Sequence, residues 1–221
     1  MNNIKAVIFD LDDTLIDRKQ AFVKYCNWFI DEHFKTKVLP DTKENMIALM
    51  VLLDENGYGN KRTKMYSELI EKWELANYSA GELEIRWAKI FDTFFDKNYE
   101  TNELLKNLKD KYKLGIITNG RSQNQQNKID VAGFRNFFDV IIVSDEVGVK
   151  KPESEIFELA CDKLNVNVQN AVFIGDNLQN DVLGAINAGL QAVWINDNDL
   201  SLNIDNNYLR ISKLDDLKNF L

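Results

Sequence analysis

The feature that most constrains the fold is a regular alternation of short apolar runs with helical segments over residues 97–221. The apolar runs lack polar alternation, which is typical of parallel strands that are covered on both faces. The predicted strands are residues 114–118, 140–143, 171–174, 192–195 and 208–211, and the predicted helices are residues 102–111, 123–132, 154–164, 179–188 and one from Leu214. This order predicts an α/β fold, a Rossmann-like parallel sheet with helices on both faces.

An earlier apolar run, residues 4–9, predicts one more strand of the same sheet. Residues 16–96 then show helical periodicity in four segments, with breaks near residues 39–41, 55–59 and 78–81. We therefore expect a discontinuous catalytic core made of residues 1–15 and 97–221, with an inserted all-helical cap domain of residues 16–96. We expect the cap to stand over the carboxyl ends of the strands, where open α/β sheets bind ligands.

Polar side chains follow several of the predicted strands. The first strand is followed by Asp10 and Asp12, the second by Thr118-Asn119-Gly120, the third by Lys151-Pro152 after a short linker, and the fourth by Asp176 and Asp181. Because the carboxyl ends of parallel strands meet at one edge of the sheet, these groups are expected to lie close together. Two carboxylates as close as those of Asp10 and Asp12 repel each other unless a cation lies between them. Mg²⁺ is the cation that this chemistry favours, with a phosphate to complete its shell.

Composition excludes several classes of function. The formal net charge of −8 disfavours a nucleic-acid polymer as partner. The single histidine, His33, lies in a helical pattern and is expected to be structural, which disfavours zinc and serine-triad chemistry. Cys26 and Cys161 have neither metal-binding nor redox spacing. With no signal-like or membrane-spanning apolar run, we expect a cytoplasmic protein with no membrane partner.

Four motifs together carry a resemblance that covers nearly the whole chain. They are Asp10-Leu-Asp12-Asp-Thr14, Thr118-Asn119-Gly120, Lys151-Pro152 and Gly175-Asp176-Asn-Leu-Gln-Asn-Asp181. In this order they resemble the haloacid-dehalogenase superfamily of phosphohydrolases, in the subfamily with a helical C1-type cap. Within it, Thr118-Asn119-Gly120 and Gly175-Asp176-Asn177 resemble the pyrimidine nucleotidase branch. The resemblance implies a hydrolase of small phosphate monoesters that uses Mg²⁺.

The chemistry expected of such a site assigns a role to each motif residue. Asp10 is expected to attack phosphorus and form an aspartyl phosphate. Asp12 is the expected acid and base, and it must hold a proton in the first step, which only the resemblance implies. Lys151 is expected to contact both Asp10 and the phosphate, and the Thr118 hydroxyl and the Asn119 backbone amide are expected to bind the phosphate. The expected ligands of Mg²⁺ are Asp10, the Asp12 carbonyl and Asp176. Asp181 is expected to orient Lys151 or a metal-bound water.

A nucleoside 5′-monophosphate is the leading substrate on these grounds, and a phosphorylated small metabolite is the expected partner. A sugar-phosphate phosphatase or a phosphomutase of the same superfamily is the alternative. A 2-haloacid dehalogenase is less favoured, because displacement of halide needs neither Asp12 nor the acidic pair Asp176 and Asp181. A non-catalytic binding protein is disfavoured because every motif position is intact. Arg18, just inside the predicted cap, has two interpretations, contact with the substrate and a position on the surface, and the surface position is favoured.

Overall fold

The computed structural model describes residues 3–54, 62–196 and 208–221. The predicted break at residues 55–59 lies outside these ranges, as do residues 197–207. The chain divides into two compact units, Met1–Asp17 with Lys97–Leu221, and Arg18–Asp96. In the described ranges, no helix is both long and apolar enough to cross a membrane.

The first unit is built on a six-stranded, all-parallel sheet. Its strands are β1 (Ala6–Phe9), β2 (Lys113–Thr118), β3 (Val140–Val143), β4 (Ala171–Gly175), β5 (Gln191–Ile195) and β6 (Leu209–Ile211), in the order β3-β2-β1-β4-β5-β6. Strand β1 therefore lies between β2 and β4, at the point where the strand order reverses. In open parallel sheets this is where ligands bind, outside the carboxyl ends of the strands.

The central strands are apolar because both faces of the sheet are covered. All residues of β1 and β4 are buried, as expected for parallel strands with helices on either side. The helices of this unit are α5 (Tyr99–Lys109), α6 (Ser122–Val131), α7 (Ser144–Val147), α8 (Ser154–Leu164) and α9 (Gly184–Asn187), with a π-helical segment at Leu178–Leu183 and a 3₁₀ segment at Leu214–Asn219. The predicted Rossmann-like α/β fold with a helical insertion is confirmed.

In the part of the second unit that the structure describes, all regular elements are helical. They are α1 (Arg18–His33), α2 (Lys43–Asp54), α3 (Arg62–Lys72) and α4 (Ala80–Ile90), followed by a 3₁₀ turn at Phe91–Phe94. Helix α4 begins with a capping box in which Ser79 Oγ accepts a hydrogen bond from the Glu82 amide, and the Glu82 side chain accepts one from the Ser79 amide. Aromatic, aliphatic and methionine side chains form this unit's own core, in which the hydroxyls of Tyr25 and Tyr66 lie 2.6 Å apart.

A buried charge cluster lies in this helical unit. Asp54 accepts hydrogen bonds from Arg18 Nη2 at 2.8 Å and from Arg62 Nη2 at 2.7 Å. The Arg62 guanidinium also lies 3.8 Å from the ring centroid of Trp87. Arg18 is therefore buried, and the expectation of a surface arginine is wrong. The physical reason is its ion pair with Asp54, which lies 36 residues away in sequence.

Candidate active site

The polar groups that follow β1, β2 and β4 are brought together because these three strands are neighbours in the sheet. In the sheet, Phe9 of β1 lies opposite Ile116 of β2 on one side and Ile174 of β4 on the other. The carboxyl ends of the three strands therefore lie close to one another along the strand direction. The Asp10 amide continues the ladder by donating to the Ile174 carbonyl at 2.9 Å. Asp10 thus leaves the sheet from a rigid position at the edge where ligands bind.

The loop after β1 folds back immediately. The amides of Leu15 and Ile16 both donate to the Leu11 carbonyl, at 3.0 and 3.1 Å. Asp13 has a φ of 58°, in the left-handed region that aspartate tolerates better than most residues. This tight turn positions Asp10 and Asp12 on the same short loop.

Asp10 and Lys151 form a buried ion pair at the centre of the site. Lys151 Nζ donates to Asp10 Oδ1 at 2.5 Å and lies 2.7 Å from Asp181 Oδ1. Burial raises the pKa of the Asp10 carboxyl well above its usual range; Lys151 lowers it, and Asp181 and Asp176 raise it further. Burial acts to lower the pKa of Lys151, but Asp10 and Asp181 outweigh it and raise this pKa above its ordinary value. Lys151 is therefore held as a cation. Further positive charge near Asp10 would favour the ionised form of the Asp10 carboxyl.

Three carboxylates of the site form an oxygen cluster. Asp10, Asp176 and Asp181 each offer one oxygen, and these three atoms lie within 4.8 Å of one another. The Trp194 indole N–H donates to the Asp176 carbonyl at 2.8 Å, and the Asn177 amide donates to Asp181 Oδ2 at 2.9 Å. When all three carboxylates are ionised, they and the one lysine together carry a net charge of about −2, which a divalent cation would balance. The donor set consists of oxygen atoms alone, which suits Mg²⁺.

Asn119 holds Lys151 through its side chain. Asn119 Nδ2 donates to the Lys151 carbonyl at 2.9 Å, and Asn119 Oδ1 accepts from the Lys151 amide at 3.0 Å. From the sequence, only the backbone amide of Asn119 was expected to take part in the site. The side-chain contacts fix the backbone of the loop from which Lys151 reaches Asp10 and Asp181.

Two residues outside the four motifs, Lys128 and Gln125, contact Asp12. Lys128 Nζ lies 2.7 Å from both carboxylate oxygens of Asp12, and Gln125 Nε2 donates to Asp12 Oδ2 at 3.0 Å. Gln125 Nε2 also donates to Thr118 Oγ1 at 2.5 Å. Both residues come from α6, and their spacing of three residues on a helix directly after Gly120 is the only sequence signal that could have indicated them.

Both cysteines and the single histidine lie outside this cluster. Cys26 and Cys161 are free thiols and are buried, and burial raises the pKa of Cys161 to about 11. His33 is buried in the helical unit, where its Nδ1 lies 2.7 Å from the Phe29 carbonyl and its ring stacks on Phe29. These positions fit structural roles.

Comparison with known proteins gives the class. The model of the haloacid dehalogenase-like hydrolase family matches residues 7–195. The chain is 32% identical over 196 residues to a glyceraldehyde 3-phosphate phosphatase of Pyrococcus abyssi, covering 86% of this chain and 81% of that one. It is 42% identical over 94 residues to the pyrimidine 5′-nucleotidase YjjG of Escherichia coli, covering 42% of each. The hydrolase YfnB of Bacillus subtilis has the same fold, with a TM-score of 0.75 at 24% identity, covering 100% of this chain and 99% of that one.

The chain therefore belongs to the haloacid dehalogenase-like hydrolase family, which confirms the resemblance drawn from the four motifs. It is an enzyme, a hydrolase that acts on phosphate monoesters.

Proposed function

We propose that the protein is a Mg²⁺-dependent phosphatase that hydrolyses a small phosphate monoester through an aspartyl phosphate on Asp10. The observation that carries the proposal is the burial of Asp10 at the end of β1, between the Lys151 ammonium and the carboxylates of Asp176 and Asp181. A buried carboxylate that is oriented by a cation at the edge of the sheet is arranged as a nucleophile.

The metal would be held by Asp10, Asp176 and the backbone carbonyl of Asp12. When bound, Mg²⁺ supplies the positive charge that offsets repulsion between Asp10 and a phosphate dianion. The three-carboxylate cluster supports this assignment through its oxygen donors and its net negative charge. Asp181, which contacts Lys151, serves in the proposal to orient Lys151 or a water molecule on the metal.

The chain's own residues carry the proposed steps. In the first step an Asp10 oxygen forms a bond to phosphorus while the bond from phosphorus to the leaving oxygen breaks, and Asp12 gives that oxygen a proton. In the second step Asp12 takes a proton from water, which attacks phosphorus and releases phosphate from Asp10. Throughout, Lys151, the Thr118 hydroxyl and the Asn119 amide bind the phosphoryl oxygens.

Two substrate classes are candidates. The motif resemblance leads to a nucleoside 5′-monophosphate, and the nucleotidase relative supports it over 94 residues. The glyceraldehyde 3-phosphate phosphatase relative, which matches 86% of this chain, supports a small sugar phosphate instead. The helical insertion, residues 16–96, serves in either case as the cap domain that selects the leaving group. The two unpaired, buried cysteines fit a reducing, cytoplasmic location.

The first experiment tests the nucleophile and the metal. Asp10→Asn keeps the shape of the side chain and removes the attacking oxygen, so phosphate release should fall by about three orders of magnitude or more. Excess chelator should abolish the wild-type activity, and added Mg²⁺ should restore it. Asp13→Asn is the matched control, because it removes a carboxylate from the same loop at a φ that asparagine also tolerates; we expect a change of less than about threefold. Substantial turnover by Asp10→Asn, or in chelator, would contradict the mechanism.

A second measurement separates the substrates. We would compare kcat/KM for pyrimidine and purine 5′-monophosphates, triose and hexose phosphates, and a phosphopeptide. A preference for one of the small-molecule classes identifies the leaving group. A preference for the phosphopeptide would refute the assignment of a small-molecule substrate.

A further inference from the structure

A second buried lysine lies in the site, on an element that none of the four motifs includes. Lys128 is 6% exposed and Gln125 is 3% exposed, and both project from α6 onto the loop that follows β1. Burying an ammonium group is unfavourable unless a specific partner compensates for the lost hydration. Lys128 pairs with Asp12, whose two oxygens each lie 2.7 Å from Nζ.

The contacts fix the direction of the Asp12 side chain. Lys128 engages both of its oxygens, and Gln125 adds a third contact at 3.0 Å to Oδ2. A carboxylate held at both oxygens cannot rotate about its Cβ–Cγ bond without losing a charge-assisted hydrogen bond. The Asp12 side chain nevertheless remains 23% exposed, so it is still open to a reacting group.

Gln125 also connects Asp12 to the expected phosphate-binding residues. Its Nε2 donates to Thr118 Oγ1 as well as to Asp12. Gly120 allows this approach, because a Cβ at Gly120 would lie 3.3 Å from Gln125 Cγ and Cδ and would need a side chain at a φ of +140°. The Thr118-Asn119-Gly120 motif and helix α6 thus form one hydrogen-bonded unit with Asp12.

We propose that Lys128 and Gln125 are positioning residues, which hold the Asp12 carboxylate in the orientation needed for proton exchange with the leaving group. Because an adjacent ammonium favours the ionised carboxylate, Asp12 takes up its proton in this proposal only when the negative charge of the bound phosphate offsets that of Lys128. This inference rests on the proposed function, in which Asp12 is the acid and base. Neither residue needs to contact the substrate, because each acts through Asp12. Misdirecting a proton-transfer group should slow the reactions whose leaving oxygen most needs a proton.

The test is a double-mutant cycle on single-turnover phosphorylation of the Mg²⁺-loaded enzyme. The variants are Lys128→Met, Asp12→Ala and the double variant, each measured with an alkyl phosphate and with an aryl phosphate, whose leaving oxygen needs little protonation. Lys128→Met should lower the alkyl rate by about a hundredfold and the aryl rate by less than about tenfold. In the Asp12→Ala background the same change should cost less than about threefold, because the residue through which Lys128 acts is gone.

Three further variants guard the interpretation. Lys128→Arg keeps a cation near Asp12 and should recover part of the rate with the alkyl phosphate. If Lys128 were needed only for folding, its loss would lower the alkyl and aryl rates by the same factor. If Lys128→Met does not fold, Gln125→Met removes one contact to Asp12 and one to Thr118, so it should lower both rates and the alkyl rate more than the aryl rate. Lys106→Met, on the exposed side of α5, controls for loss of a lysine and should leave both rates unchanged.

The outcomes are distinguishable. Equal losses with both substrates, or full additivity with Asp12→Ala, would overturn the positioning role. A raised KM that persists in the Asp12→Ala background would assign Lys128 to direct phosphate binding and would also overturn it. A wild-type enzyme that releases no phosphate from any ester would instead overturn the proposed function, and the positioning role with it.

Discussion

Gly175, the last residue of β4, has no space for a side chain. A Cβ built at this position would lie 2.5 Å from both Cβ and Cγ of Asp181, closer than real Cβ atoms approach other atoms. Its φ is not in the left-handed region, so alanine would be strained only by this contact. We therefore expect Gly175→Ala to displace the Asp181 side chain.

The expected loss of stability in Gly175→Ala follows from the contacts that Asp181 makes. Overpacking a buried site costs about 1–3 kcal/mol. Displacing the carboxylate also deprives the Asn177 amide of its acceptor and Lys151 of one of its two carboxylate partners, which adds about 1–3 kcal/mol. The free energy of unfolding should thus fall by about 2–6 kcal/mol, which lowers Tm by roughly 5–20 °C in a chain of this size.

Activity should fall with stability, because Lys151 is oriented by the same carboxylate. A misplacement of about 1 Å in a catalytic group can cost about a hundredfold in rate, so kcat/KM should drop by that factor or more even well below Tm. Thermal unfolding followed by circular dichroism and phosphate release in Mg²⁺ are the two assays. Gly81→Ala is the control, because nothing lies within 4 Å of a Cβ at this position. Its free energy of unfolding should rise by up to about 1 kcal/mol. A Gly175→Ala variant with wild-type Tm and kcat/KM would refute the reasoning.

Two further predictions concern the helical unit. Asp54→Asn leaves the two buried guanidinium groups of Arg18 and Arg62 without a carboxylate, so the free energy of unfolding should fall by about 3–5 kcal/mol in thermal unfolding experiments. The control is Asp31→Asn, at an exposed pair with Lys43, which should lower it by less than about 1 kcal/mol. Similar losses for the two variants would contradict the burial argument. Burial lowers the pKa of His33 below its usual value, so the unfolded chain binds a proton more readily and stability should fall as the pH drops below about 6.5. His33→Phe should weaken this dependence in pH-resolved unfolding, and an unchanged profile would show that other groups cause it.

The sequence predicted those elements whose local patterns were strong. Strand β3 (Val140–Val143) and helix α8 (Ser154–Leu164) have the predicted bounds to the residue. A continuous apolar run and a helical period are local properties, so neighbouring residues suffice to identify them. Other boundaries moved by one to three residues: α5, for example, begins at Tyr99 because Asn98 caps it by accepting from the Thr101 amide at 3.0 Å.

What the sequence alone determined is the set of polar residues at the strand ends, and hence the family. A parallel sheet brings the ends of β1, β2 and β4 to one edge whatever the details of packing, so Asp10, Thr118 and Asp176 could be grouped in advance. Only the tertiary structure decided which partners those residues have. Lys128 reaches Asp12 across 116 residues and Arg18 reaches Asp54 across 36. Such pairs leave no local pattern, because a long charged side chain looks the same in sequence whether it is solvated or buried against a carboxylate.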